Sequence, residues 1–268
     1  MSDLLDGMIK AALSAAEVIL DIYATDFDVC VKGDASPVTQ ADQAAEAVIF
    51  DHLTQRFPDI PVIAEEAVST GRIPEIGRDF FLVDPVDGTK EFISRNGEFT
   101  VNIALIRDGL PQIGVVFTPA KGWLFVGDVG RGAWRGHVRD PRQSHAILNK
   151  RSIEVRDCRD RVDVVGSRSH LCENTEAYLD QFDIGKHKPV GSSLKFCLLA
   201  AGEADLYPRF SRTMEWDTAA GDAVLSAAGG IVETAEGQRL LYGKIVQEDA
   251  PFANPAFVAR TRTCPLPE

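Results

Sequence analysis

The stretch FFLVDPVDGTKEF, residues 80–92, carries an apolar run that ends abruptly in acids, a proline and a glycine. Phe80 to Val83 have the continuous apolar character of a buried strand. Asp84 follows at once, and Asp87 comes three residues later. Pro, Asp and Gly together are common in a solvated turn. They also fit a site at the end of a strand where metal ions and phosphate bind. Only the rest of the sequence can distinguish between these two interpretations.

The order of residues after the strand gives each of them a possible role in binding. The strand end delivers Asp84 to a rim, and the following proline removes a backbone donor that would compete for a carboxylate. Asp87 returns to the same side, so Val86 can offer its carbonyl oxygen. Gly88 allows close backbone approach, and the amides of Gly88 and Thr89 can point at an anion at a helix start.

Carboxylates recur at four places where a regular element meets a loop. Taken singly, each is more simply a solvated acid, or an acid favoured by a helix dipole. Their joint occurrence favours a site for a hard cation such as Mg²⁺ or Mn²⁺, which prefers oxygen ligands. The residues are Asp42, Glu65, Glu66, Asp84, Asp87 and Asp217.

Hydrophobic periodicity and turn residues predict the elements of the first half. Helices are expected over 3–24 and about 40–56, the second with Thr39 as N-cap. A short strand over 62–66 and a loop over 67–78 lead into the strand of the opening stretch. The spacing of the next four strands predicts an antiparallel sheet: they lie at 99–106, 112–119, 122–129 and 132–136.

The second half alternates between helices and strands, which is an α/β pattern. The polar segment 137–160 is the best candidate boundary, so we divide the chain into two parts. Residues 1–157 form an N-terminal α+β half that carries the metal-binding motifs. Residues 158–268 form a C-terminal α/β half that carries the specificity residues. Strands are expected at 161–167, 186–191, 204–208 and 231–235, and helices at 172–182, 193–202 and 216–230.

Composition excludes several classes of function. Among 268 residues, Asp and Glu number 40 against 28 Lys and Arg, a formal net charge of −12, which opposes binding to a nucleic-acid polymer or an anionic membrane. The five cysteines form no C-x-x-C pair and suggest reduced thiols. No signal peptide and no apolar stretch of about 18 residues is visible. We therefore expect a cytoplasmic protein without a transmembrane segment; peripheral association with the inner membrane stays open.

Two long motifs resemble the signatures of the Mg²⁺-dependent, lithium-sensitive phosphatases of the inositol monophosphatase superfamily. The first is FLVDPVDGTKEF (81–92), preceded by AEE, and the second is WDTAAGDAVLSAAGG (216–230). Within the superfamily the chain is most similar to the bacterial 3'(2'),5'-bisphosphate nucleotidases. Lys90 and Glu91 after DGT carry this finer resemblance, as do GSSLKFCLLAAGEADLYPRF (191–210) and SRSH (167–170). Asp222 departs from the small residue or His usual in the second signature.

The resemblance implies an α/β (α+β layered) fold of alternating helix and sheet layers, an αβαβα sandwich, and two or three Mg²⁺ ions. Glu65, Asp84 and the Val86 carbonyl would hold the first ion. Asp84, Asp87 and Asp217 would hold the second, and a third would lie near Glu65.

The resemblance also implies catalytic and substrate-binding residues. Thr89, oriented by Asp42, would position the attacking water together with Glu65. In the second half, Gly191 to Ser193 open a helix whose free amides could face an anion, with Lys195 in its first turn. Solvated surface remains the alternative for Lys195, Arg209 and His170. The full substrate-binding set is Glu65, Val86, Asp87, Gly88, Thr89, His170, Ser192, Lys195, Arg209 and Asp217.

The function so implied is hydrolysis of the 3'-phosphate of adenosine 3',5'-bisphosphate, giving AMP and phosphate. The partner is then a small nucleotide bisphosphate, and the protein is a monomer or a homodimer. One alternative keeps the chemistry and changes the substrate to an inositol phosphate or fructose 1,6-bisphosphate. Another is a catalytically silent, metal-dependent binding protein on the same fold; intact acids at all four places argue against it.

Overall fold

The computed structural model describes residues 3–27, 29–31, 37–158, 160–167 and 172–264. The helices of this part of the chain are α1 (Asp3–Tyr23), α2 (Gln40–Arg56), α3 (Glu65–Ser69), α4 (Thr89–Ile93), α5 (Glu173–Leu179), α6 (Leu194–Ala200) and α7 (Glu215–Ala227). No helix in the described ranges is long and apolar enough to cross a membrane.

The strands of the described residues form three sheets. In the first, β1 (Val29–Val31) pairs antiparallel with β2 (Pro37–Thr39). The large sheet runs in chain order through β3 (Val62–Ala64), β4 (Asp79–Asp87), β5 (Thr100–Arg107), β6 (Leu110–Thr118), β7 (Trp123–Asp128), β8 (Gly132–His137) and β9 (Leu148–Ile153). The smaller sheet contains β10 (Val162–Ser167), β11 (Ile184–Val190), β12 (Leu206–Arg209), β13 (Ile231–Thr234) and β14 (Phe257–Arg260) in the order β11-β10-β12-β14-β13.

The strand of the opening stretch is buried on both faces. Phe81 and Val83 belong to the core that α1 and α2 form on one side of the large sheet. Phe80 and Leu82 belong to the core that α6, α7 and the smaller sheet form on the other side. Successive side chains of a strand point to opposite faces, so an unbroken apolar run is what a strand between two cores requires.

Five layers result from this packing, and the predicted αβαβα architecture is confirmed. Helices α1 and α2 cover the outer face of the large sheet. Helices α6 and α7 lie between the two sheets, and α5 packs on the far face of the smaller sheet through Leu179 and Tyr178. The middle layer is in close contact with the large sheet at Gly114, where an added Cβ would lie 2.2 Å from the carbonyl oxygen of Ala220 on α7.

The structure corrects two of the sequence predictions. The strand predicted over 62–66 ends at Ala64, and Glu65 already begins α3, which occupies part of the predicted loop 67–78. The antiparallel sheet predicted for the four strands over 99–136 is confirmed, and β3 joins the same sheet parallel to β4. The polar segment 137–160 contains β9, which adds an exposed edge strand to the large sheet. The division at residues 157 and 158 stays a prediction.

Candidate active site

The candidate site is a cavity of about 240 Å³ at the ends of β3, β4 and α7. Its lining includes every predicted metal-binding residue, namely Glu65, Asp84, Val86, Asp87 and Asp217. It also includes the predicted phosphate-binding residues Gly88, Thr89, Ser192, Lys195 and Arg209. Residues from both halves of the sequence therefore meet in one place.

Asp84 and Gly88 fix the bend at the end of β4. Asp84 is buried, and its Oδ1 accepts a hydrogen bond of 3.0 Å from the Val86 amide. This bond closes a short Asx turn, which is typical of Asp before a bend. Gly88 then takes the left-handed conformation, with φ of 90°, and caps α4, which glycine adopts without the steric cost of a Cβ.

Asp87 is held through one of its two carboxylate oxygens. Its Oδ2 accepts hydrogen bonds from the Ser193 amide at 2.6 Å, from Asn102 Nδ2 at 3.0 Å and from Thr100 Oγ1 at 3.4 Å. Asn102 lies on β5, directly across the ladder from Asp84. The orientation of Asp87 thus depends on residues far away in sequence.

Asp217 occupies the first turn of α7. Its Oδ2 accepts a hydrogen bond of 2.8 Å from the amide of Met214, the N-cap residue. An acid at this position is favoured because the positive end of the helix dipole lies beside it. The structure therefore explains the position of Asp217 at the cavity by ordinary helix capping.

Thr89 and Asp42 meet at the other end of the cavity. Thr89 Oγ1 lies 3.4 Å from Asp42 Oδ1 and 3.4 Å from the Val86 carbonyl oxygen. Asp42 is buried, and its Oδ2 accepts from both the amide and the hydroxyl of Thr39 at 2.8 Å. These bonds form the capping box that begins α2. The predicted N-cap Thr39 is confirmed, and Asp42 reaches the cavity through Thr89.

Glu65 is the first residue of α3, which directly follows β3. The N-cap residue Ala64 supplies no side-chain hydrogen bond to this short helix. Glu46 on α2 supplies the missing acceptor instead: its Oε2 accepts a hydrogen bond of 2.7 Å from the Glu66 amide. Glu46 is buried, and burial raises its pKa to about 7. The position of Glu65 therefore depends partly on α2.

The acids of the cavity repel one another. Burial raises the pKa of Asp84 well above its usual value, and the charges of Glu65, Asp87 and Asp217 raise it further. The pKa of Asp217 is also raised, first by burial and then by Asp87 and Glu65. Positive charge placed among these groups would stabilise their ionised forms.

The donor set fits a hard divalent cation by its chemistry. Five acidic residues line the cavity, the four predicted ligands and Glu91, together with Val86 and its main-chain carbonyl, and oxygen ligands are those that Mg²⁺ prefers. Among the described residues, no group of three or more His, Cys, Asp or Glu side chains is arranged so that it could by itself hold a metal ion. The assignment of these residues as ligands therefore stays a prediction.

The opposite wall of the cavity carries two cationic side chains. Lys195 is buried, and its Nζ donates to the carbonyl oxygens of Ser192 at 2.6 Å and Val190 at 3.3 Å. Burial lowers the pKa of Lys195 to about 8. Arg209 is also buried and donates from Nε to the Ser211 carbonyl at 3.2 Å. Both residues thus form part of the cavity wall, whereas a solvated surface position was the alternative.

The expected free amides at the start of α6 are only partly present. The Gly191 amide donates to Glu98 Oε2 at 3.1 Å, and the Ser193 amide donates to Asp87. The prediction that these amides face an anion is wrong for Gly191 and Ser193, because carboxylates of the protein already occupy them. His170 lies outside the described residues.

Several residues support the site in ways that the sequence did not predict. Asn102 and Ser193 hold Asp87, Glu46 supports α3, and Glu98 supports Gly191. Each acts through a contact between residues that are distant in the chain. A signal for Asn102 does exist: a polar residue interrupts the apolar strand TVNIALI.

A layered α/β/α/β/α fold with carboxylates and buried cationic side chains around one cavity suits a small-molecule phosphatase. The model of the inositol monophosphatase family matches residues 1–263. The chain therefore belongs to the inositol monophosphatase family.

Individual relatives refine this placement. The chain is 45% identical over 258 residues to the 3'(2'),5'-bisphosphate nucleotidase CysQ of Escherichia coli O157:H7, covering 95% of this chain and 98% of that one. It is 29% identical over 265 residues to inositol monophosphatase 1 of Solanum lycopersicum, covering 96% and 94%. The crystal structure of CysQ from Bacteroides thetaiotaomicron superposes with a TM-score of 0.78 at 37% identity, covering 97% of both chains.

Proposed function

We propose that this protein hydrolyses the 3'-phosphate of adenosine 3',5'-bisphosphate to AMP and phosphate, with Mg²⁺ as cofactor. The observation that carries the proposal is that carboxylates and the buried cationic side chains of Lys195 and Arg209 line one cavity. The carboxylates suit the metal ions of phosphoryl transfer, and Lys195 and Arg209 suit a second phosphate. The likeness to bacterial bisphosphate nucleotidases over nearly the whole chain supports the same substrate.

In this proposal Glu65, Asp84, the Val86 carbonyl, Asp87 and Asp217 would hold two ions, and a third would bind near Glu65. When bound, Mg²⁺ supplies positive charge that polarises the phosphate ester and lowers the pKa of water in the site. The raised pKa values of Asp84 and Asp217 are consistent with a place for such charge.

Thr89 and Asp42 orient the attacking water. The single hydroxyl proton of Thr89 goes to Asp42 Oδ1 or to the Val86 carbonyl oxygen. The lone pairs of Thr89 Oγ1 are then available to accept a hydrogen bond from water. Glu65 takes a proton from that water as its oxygen bonds to phosphorus in line with the ribose 3'-oxygen. The ester P–O bond breaks, and the departing ribose oxygen takes up a proton from a solvent water to become the 3'-hydroxyl of AMP. The amides of Gly88 and Thr89 hold the phosphate at the start of α4.

Lys195, Arg209 and Ser192 recognise the rest of the nucleotide. The Lys195 ammonium has three donors, and two of them bind main-chain carbonyls. One donor therefore remains for a phosphate oxygen in the cavity. Together with Arg209 it makes a bisphosphate a better ligand than a monophosphate. His170 belongs to the same proposed group of substrate-binding residues.

The experiment that tests this function compares phosphate release from adenosine 3',5'-bisphosphate, inositol 1-phosphate and fructose 1,6-bisphosphate, each with and without Mg²⁺. We expect the nucleotide to give by far the highest kcat/KM and no turnover without the metal. Asp87→Asn should abolish turnover, whereas Asp59→Asn, at an exposed acid, should not. A higher kcat/KM for inositol 1-phosphate would show an inositol phosphatase. Nucleotide binding without hydrolysis would show a silent binding protein.

Parallel assays with adenosine 2',5'-bisphosphate and 3'-phosphoadenylyl sulfate define the range of nucleotides. A monomer or homodimer in the cytoplasm is the setting we propose. Size-exclusion chromatography with light scattering measures the oligomeric state, and cell fractionation measures the location.

A further inference from the structure

Asn102 and Ser193 form a hydrogen-bonded pair that contacts the carboxylate of Asp87 and the main-chain carbonyl of Asp217. Asn102 Nδ2 donates to Ser193 Oγ at 2.9 Å, although the residues are 91 positions apart. Both side chains are buried, with 1% of their surface exposed. Neither side chain lines the cavity, so a role for the pair has to act through its neighbours.

The chemistry of the neighbours fixes the direction of each hydrogen bond. The Asp87 carboxylate only accepts when ionised, so the Asn102 amide nitrogen must face it. The Asp217 main-chain carbonyl also only accepts, so Ser193 must donate its single proton there. Ser193 Oγ can therefore only accept from Asn102. The result is a series of hydrogen bonds in one direction, in which Asn102 donates to Ser193 and Ser193 donates to Asp217.

This series of hydrogen bonds orients Asp87. Asn102 Nδ2 and the Ser193 amide both donate to Oδ2 of Asp87, at 3.0 and 2.6 Å. With Thr100 as a third donor at 3.4 Å, that oxygen is fully occupied. All three bonds are made to Oδ2, so Oδ1 is the oxygen that these donors leave for an ion.

The same series of hydrogen bonds connects the two walls of the site. Asn102 lies on β5 in the large sheet, Asp217 lies on α7, and Ser193 precedes α6. Ser193 also adjoins Ser192, whose carbonyl binds Lys195. A shift of the Lys195 wall would therefore be transmitted directly to Asp87 and to the first turn of α7.

Asn102 occupies a buried position where its side-chain oxygen finds no hydrogen-bond partner. Among the buried side-chain atoms of the described residues, its Oδ1 is one of the few without a hydrogen-bond partner. Buried polar atoms are nearly always paired, so an unpaired one calls for an explanation. An apolar side chain would avoid the unpaired oxygen but would lose both bonds of Nδ2, and these bonds supply the explanation.

We propose that Asn102 and Ser193 are positioning residues that set the spacing and orientation of Asp87 and Asp217 for metal binding and couple the Lys195 wall to them. The inference rests on the proposed function in that it assigns Asp87 and Asp217 as metal ligands. Side chains that orient metal ligands typically contribute about 10–100-fold to metal affinity or activity.

The test measures Mn²⁺ affinity by electron paramagnetic resonance, without substrate, in Ser193→Ala, Asn102→Leu and the double variant. We expect each single variant to bind Mn²⁺ about tenfold more weakly. The double variant should be little worse than either, because residues in one network are not additive. Ser193→Thr keeps the hydroxyl and should restore affinity. Ser226→Ala is the matched control, because it removes another serine hydrogen bond on α7.

Thermal unfolding shows which variants remain folded, and Ser193→Ala suffices if Asn102→Leu does not fold. Wild-type Mn²⁺ affinity in a folded Ser193→Ala variant would overturn the inference. A loss that Ser193→Thr does not restore, or one that Ser226→Ala matches, would overturn it too. A wild-type protein that binds Mn²⁺ without hydrolysing the bisphosphate overturns only the proposed substrate, whereas one that binds no Mn²⁺ overturns both.

Discussion

Thr89 and Asp42 lie within hydrogen-bonding distance, 3.4 Å from Oγ1 to Oδ1, although 47 residues separate them in the sequence. The other oxygen of Asp42 closes the capping box of α2. One carboxylate therefore begins a helix and orients a hydroxyl at the cavity. Because Asp42 is buried, its carboxylate has little freedom to turn away from either contact.

The hydroxyl of Thr89 should matter for kcat and little for stability. We expect Thr89→Ala to lower kcat by about 10²-fold, because general acid–base positioning contributes at least that much. Thr89→Ser keeps the hydroxyl and should retain most of the activity. Steady-state kinetics with the bisphosphate and thermal unfolding check the prediction, and an Ala variant with nearly unchanged kcat would contradict it.

Lys195 should make substrate affinity depend on pH. Burial chiefly lowers its pKa to about 8; Arg209 lowers it too, whereas Asp87 and Glu91 act in the opposite direction. The ammonium is charged below about pH 8, so KM for the bisphosphate should rise above that pH. Lys195→Met should have a high KM at every pH and no such rise. KM measured from about pH 6.5 to 9.5 tests this, and an identical pH profile in the variant would refute it.

The same shift has a consequence for stability. Between about pH 8 and the ordinary lysine pKa near 10.5, the folded protein binds fewer protons at Lys195 than the unfolded chain. The contribution of this group to the free energy of unfolding therefore increases with pH over that window. The free energy of unfolding, measured with denaturant at several pH values in this window, should therefore rise more steeply with pH in the wild type than in Lys195→Met.

Glu46 should stabilise α3 and hold Glu65 in place. Glu46→Ala removes the acceptor of the Glu66 amide, and loss of a helix cap costs about 0.5–2 kcal/mol. We expect that loss in urea unfolding together with a lower kcat. Glu46→Gln keeps an acceptor and should lose less, and Gln43→Ala, an exposed position on α2, should change neither.

The pKa of Glu46 also predicts a slope with pH. Because burial raises that pKa from 4.5 to about 7, the folded state holds an extra proton between these values. The contribution of Glu46 to stability is then complete below the lower value and lost as pH rises through about 7. In Glu46→Gln the free energy of unfolding should lack this decrease with pH. An equal decrease in both proteins would show that Glu46 does not titrate in this range.

Asp222 should act on stability and hardly on chemistry. It is buried and accepts two hydrogen bonds of 2.7 Å from Arg239 and one of 2.9 Å from Tyr242. Asp222→Asn leaves the guanidinium without its counter-charge and should cost about 3 kcal/mol, as removal of one partner of a buried pair does. Urea unfolding and kcat give the two readouts. Asp222→Ala combined with Arg239→Met should recover part of the stability; no recovery would argue against the pair.

The sequence was most informative where one short segment carries its own physical signal. The cap at Thr39 and the helix over 40–56 follow from local chemistry, and the structure has both. The strand before Asp84 follows from its apolar run. Asp222 also stood out as a departure from the family signature, and the structure gives it a partner in Arg239.

The rest depends on contacts that no short segment encodes. Asn102 matters because strand register places it opposite Asp84, and register is set by the whole sheet. Ser193 matters because it meets Asp87 across 106 residues of chain. The edge strand β9 is polar and exposed, so it lacks the hydrophobic pattern by which strands are predicted.

The long separations between Asp42, Asp87 and Asp217 have a consequence for how the protein is made. During synthesis the first two residues emerge well before α7, which supplies the third and packs against the already translated large sheet. Such non-local contacts form late and slowly. A ribosome-bound chain that stops before α7 lacks Asp217, so under the proposed function metal binding would begin only at the last stage of folding.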